Sequence, residues 1–166
     1  DPMVETLGRR LDFKQMNNEK HMRMAVTATN LHTGGPTTFS NHLAPQAHVD
    51  ADNHTATRAH LTPAHILASG ALPPGFPAGR IDDSYYWDGG MFRNPPIDAL
   101  LNMLEPAEID TLPIFVVDLF PTDGQPVPGN MLEVRTRAMA LQYQNRFWSQ
   151  YGGSAGLAGF ISMLEE

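Results

Sequence analysis

The chain contains no cysteine, which excludes disulfide staples and thiolate metal centres and leaves the redox compartment unreadable. No apolar run approaches the ~20 residues of a transmembrane helix, and the start of the chain has no basic-plus-apolar signal segment. A cytoplasmic location is therefore the default expectation. Cations are scarce: 11 Lys and Arg against 18 Asp and Glu give a net charge of −7. That leaves no basic stripe for nucleic acid and little attraction to anionic lipid. The remainder, 42% hydrophobic and 17% charged over 166 residues, suits one globular domain with a real core, or a large part of one. An initiator methionine is also missing. The chain opens on Asp1-Pro2, the dipeptide most readily cleaved by acid, and this leads us to expect a processed or nicked product.

The order of patterns along the chain points to an α/β domain. Val4, Leu7 and Leu11 have helical spacing within residues 3–16. The β-branched stretch 22–31 predicts a strand that turns at Gly34-Gly35, with Thr37–Phe39 returning as a hairpin. Residues 40–60 are polar and aperiodic and are expected to be loop. Thr62 and Pro63 have the form of an N-cap and first helical residue for a helix over 62–72, stopped by Gly70 and Pro73-Pro74-Gly75. Residues 81–87 read as a turn and short strand, and 96–104 as a helix. The apolar run 112-LPIFVVDLFP-121 predicts a buried strand, 129–149 a long helix and 157–164 a second one. Strands alternating with helices imply a mainly parallel sheet.

The stretch 84-SYYWDGGMFRNPP-96 sets a single aspartate between an aromatic strand and two glycines. Asp-Gly is a common turn pair, so by itself the stretch reads as a turn. The strand's carboxyl end is nevertheless where α/β sheets carry functional groups. Taken with 65-HILASGALPPGFP-77 and 94-NPP-96, and with 22-MRMAVTATNLHTGGPTTF-39 upstream, the chain closely resembles the patatin-like phospholipases. The stretches 113–128 and 132–146 resemble the C-terminal extension of a bacterial subgroup, so the resemblance spans about residues 3–146.

The resemblance implies a three-layer α/β/α fold of which this chain is the C-terminal part, with 1–128 in the catalytic domain and 129–166 a helical extension. It also implies lipid acyl-ester hydrolysis by a Ser–Asp dyad. Asp88 would be the general base, braced by Gly89, Gly90 and Asn94. The family's glycine-rich oxyanion loop and G-x-S-x-G elbow do not occur before Asp88. We therefore expect a second polypeptide or an upstream segment to carry them, a lipid or acyl-ester substrate, and transient contact with a membrane surface. One G-x-S-x-G match, 152-GGSAG-156, follows Asp88 and is fed by the polar stretch 143–151, which favours a helix break. The alternatives are a permuted hydrolase with Ser154 as nucleophile, or a non-catalytic scaffold that keeps the fold.

Other candidates carry less. His48, Asp50, Asp52 and His54 could gather a divalent cation, but their spacing matches no established site. We assign neither metal nor cofactor. His65 is expected to pack or to cap its helix, Asp118 to be hydrogen-bonded, and Asp82-Asp83 to form a surface turn.

Overall fold

Strand β1 (Ala25–Asn30) runs out to the Gly34-Gly35 turn and β2 (Pro36–Ser40) returns antiparallel, with Val26 opposite Phe39 and Ala28 opposite Thr37. The computed structural model describes residues 2–43, 55–92, 94–109, 111–117 and 126–143. At the hairpin tip the Asn30 carboxamide accepts from the backbone N–H groups of His32 (2.8 Å) and Thr33 (3.1 Å), and the Gly34 N–H returns to the Asn30 carbonyl. This is the self-bonded turn that Asn favours.

Three more strands complete a five-stranded sheet in the order β3-β2-β1-β5-β4. Strand β5 (Ser84–Asp88) pairs antiparallel with β1, β4 (Gly79–Ile81) pairs antiparallel with β5, and β3 (Thr55–Arg58) lies parallel to β2. The expected mainly parallel sheet is thus corrected to a mixed one, parallel only at the β2–β3 junction. For the two hairpins the reason is connection length. Turns as short as those at residues 31–35 and 82–83 can join only antiparallel strands, whereas a parallel pair needs a long crossover. The stretch between β2 and β3 is long enough for such a connection, and β3 itself falls inside the region expected to be loop.

Helix α3 (Pro63–Ser69) covers one face. Its Ala68, with Leu61 before it, packs against Val26 and Ala28 of β1, Phe39 of β2, Ile81 of β4 and Tyr86 of β5. Phe39 stands edge-on to both Tyr86 (5.4 Å) and His65 (4.8 Å), the arrangement that ring quadrupoles favour. Gly79 lies so close to α3 that a Cβ there would come within 2.6 Å of the Ala68 Cα. Along β1 the alternate residues Thr27 and Thr29 turn to the opposite face. There the 3-10 turn Gly89–Met91 lies against the strand, its Gly89 close to Thr27, and α4 (Ile97–Leu101) also contacts β1. Helical structure on both faces of a mixed sheet makes this an α/β domain.

Around that centre, the expected helix over 3–16 is two helices, α1 (Pro2–Arg10) and α2 (Phe13–Met16). Asp12 breaks it, its carboxylate taking the Lys14 and Gln15 N–H groups at 3.0 Å each as N-cap of α2. Buried Asn41 latches this region to the sheet, donating to the Met22 carbonyl (2.8 Å) and to that of Met16, and accepting from Met24 N–H (2.8 Å). Arg23 ties the start of β1 to α5 (Pro106–Ile109) through Glu108 and the Met103 carbonyl.

The buried strand expected over 112–121 is contradicted where it is described. Residues 113–117 form no strand, and Phe115 and Val117 are 87% and 78% exposed. A strand exists through its ladder, and among the described residues no edge of the sheet pairs with this run. Helix α6 (Met131–Tyr143) occupies much of the expected 129–149 helix; the remainder, and the second helix over 157–164, lie outside the described residues. Among the described residues no helix is long and apolar enough to cross a membrane.

Candidate active site

Asp88 is the last residue of β5, opposite Ala28 in the ladder. Its backbone is held from two sides. The Asp88 N–H donates to the Ala71 carbonyl just beyond α3 (3.0 Å), and its carbonyl accepts from the Thr29 hydroxyl (2.8 Å). The chain then turns at once into the 3-10 helix, of which Asp88 is the N-cap, and its Oδ1 accepts from Gly90 N–H at 2.7 Å. Among the described residues, no hydroxyl or cation reaches this carboxylate.

The two glycines have different reasons to be there. A Cβ on Gly89 would come within 2.4 Å of both the carbonyl and the hydroxyl oxygen of Thr27, so no side chain fits between the turn and β1. At Gly90 a Cβ would approach Asp88 Oδ1 to 3.1 Å, a tighter but milder conflict. Asn94 also approaches Gly90, its Cβ 4.0 Å from that same point. Arg93 lies outside the described residues.

Electrostatically, Asp88 stands apart among the described carboxylates. Partial burial pushes its carboxyl above the ordinary carboxylate range, and the Gly90 N–H opposes that shift by favouring the anion. Among the described residues two other carboxylates are displaced, Glu19 beside His42 and Arg58 and Glu108 beside Arg23, and both move the other way, downward, through their partners. Among the described residues this half-buried carboxylate takes one backbone donor, Gly90 N–H, and has no ion-pair partner, which marks it as a candidate functional group and not half of a structural salt bridge.

His65 is not part of this arrangement. Its ring packs on Phe39, and its Nδ1 accepts the Thr62 N–H (3.2 Å) and lies 2.9 Å from the Thr62 hydroxyl, the reach-back arm of a capping box. Ser154, Asp118 and the His48–His54 cluster lie outside the described residues. Among the described residues no group of three His, Asp or Glu is arranged to hold a metal. Two contacts at Asp88 were not foreseen from sequence, the Thr29 hydroxyl and the Ala71 carbonyl. Thr29 reads only as a strand former, and no pattern marks a backbone carbonyl.

The family model described as patatin-like phospholipase matches residues 1–101, more than half of the chain, and the match contains α3, β5 and the Asp88 turn. The chain belongs to the patatin-like phospholipase family. Membership supports lipid hydrolysis in general. No curated protein and no solved structure matches the chain significantly.

Proposed function

We propose that this chain contributes the carboxylate of a lipid acyl-ester hydrolase, with Asp88 as general base for a serine carried on a segment outside the described residues or on a second polypeptide. The observation that supports the reading most is Asp88 itself. It is a half-buried carboxylate at the carboxyl end of a strand, anchored through its backbone, with one oxygen bound by Gly90 N–H and, among the described residues, no cation opposite. As the serine oxygen attacks the ester carbonyl, its proton passes to Asp88 and a tetrahedral oxyanion forms. Collapse breaks the ester bond, and the departing alcohol takes the proton. Water then attacks the acyl-serine, giving its proton to Asp88, and collapse releases the fatty acid and returns the proton to the serine. Residues 1–128 belong, on this reading, with the catalytic domain, and 129–166 form a helical extension.

Asp88→Asn tests it in the complete hydrolase. Asn preserves shape and can still accept from Gly90 but cannot take a proton, so activity on a short-chain ester should fall by roughly two to four orders of magnitude. A kcat within about threefold of wild type, with unchanged circular dichroism, would overturn the assignment and favour a scaffold or a different base.

A further inference from the structure

We propose that Thr29 is a positioning residue for Asp88: by holding the Asp88 carbonyl, its hydroxyl sets the peptide plane from which Gly90 N–H meets the carboxylate. The inference rests on the reading of Asp88 as the base and extends it to a residue 59 positions earlier in the chain.

The geometry carries it in three steps. Thr29 is 4% exposed and its hydroxyl donates to the Asp88 carbonyl at 2.8 Å, so neither group exchanges freely with water. Asp88 ends its strand, paired with Ala28 and followed directly by the 3-10 turn, so this side-chain bond fixes the carbonyl where the regular ladder stops. Only the φ and ψ angles of Gly89 then separate that peptide plane from the Gly90 N–H that holds Oδ1 at 2.7 Å. Gly89 is already pressed against Thr27, one strand period from Thr29. The same face of β1 thus grips the turn at two successive outward positions, by contact at Thr27 and by a directed hydrogen bond at Thr29.

Thr29→Val keeps the shape of the side chain and removes the donor. With the carbonyl unheld, the turn relaxes and the Gly90 bond slackens. The partial burial of Asp88 is then less opposed, and the carboxyl titrates higher still. A threonine that served stability alone would lower the amount of active enzyme without moving its pH dependence.

The experiment measures kcat, KM and the pH profile of kcat/KM on a short-chain ester for the complete hydrolase and its Thr29→Val, Thr29→Ser and Asp88→Asn variants. Thr29→Val should lose on the order of tenfold to a hundredfold in kcat with little change in KM, as for a misplaced catalytic group, and its acid limb should move to higher pH. Thr29→Ser, which restores the donor, should return the limb to the wild-type position. If Thr29→Val does not accumulate as folded protein, Thr29→Cys takes its place, since a thiol is a weak donor. A wild-type acid limb in the donor-poor variant, beside an inactive Asp88→Asn, overturns the positioning role and leaves the dyad standing. An active Asp88→Asn overturns both.

Discussion

Asp88 holds a charge where folding would favour its absence. Its folded-state pKa lies above its unfolded value because burial outweighs the Gly90 bond, so the protonated form is the one the fold favours. The stability from this group is full below the unfolded pKa and is lost as pH rises through the folded one. Two measurements follow. The acid limb of kcat/KM should lie above that of an ordinary aspartate, near 4, and Asp88→Asn should melt at or above the wild-type temperature at pH 7. If Asp88→Asn proves clearly less stable, the carboxylate is part of the fold's support and not a strained functional group. How legible this site is from sequence depends on distance along the chain. Asp88, Gly89 and Gly90 are contiguous and occur with companion motifs. Thr27 and Thr29 meet them only through the β1–β5 ladder, and no local pattern announces that pairing.

Elements are most readable where local chemistry decides them. The β1–β2 hairpin has its glycine turn and α3 its Thr62-Pro63 start and Gly70 stop, while Asp82-Asp83 announces a turn but not the strand β4 before it. They are least readable where tertiary partners decide. Strand β3 has four residues and exists through β2, while the apolar stretch at 113–117 looks like a strand but, among the described residues, has no neighbour to pair with. Helix α3 makes a further prediction. Its His65 is held below the ordinary histidine range chiefly by burial, with Asp82 opposing and His60 adding to the shift. The Thr62 N–H can only donate, so the Nδ1 it meets must be unprotonated. With the folded pKa below the unfolded one, stability falls as pH drops below about 6.5 and continues to fall until the folded-state pKa is passed. Gln at this position keeps the reach of a capping box but not the titration. In urea unfolding across pH 8 to 5, His65→Gln should lose about 0.5–1.5 kcal/mol at pH 8 for the missing ring contact with Phe39. Its stability should change less with pH than that of wild type. Parallel curves would show that His65 does not supply the pH dependence.

At the scale of the molecule, several large apolar side chains are exposed among the described residues. Phe115, Val117 and Val127 (92% exposed) stand in water, with Met131 and Leu132 beside them in sequence at the start of α6. Such groups call for cover. We expect residues 1–166 produced alone to self-associate in light scattering, and to show no labelling by a fluorophosphonate at any residue. Co-production with a segment carrying G-x-S-x-G should give a defined complex that labels on that segment. A monodisperse 18.3 kDa species would show the chain to be autonomous, and a labelled Ser154 would establish the permuted order. The anchoring of Asp88 has a last consequence, for timing. Its holds come from the first strand, from the exit of the covering helix and from its own turn. A growing chain meets these conditions only after the glycines have been made and the central pairing has closed a loop of nearly sixty residues. Until then the carboxylate is an ordinary solvated aspartate, so what sets it apart belongs to the finished fold and not to the growing chain.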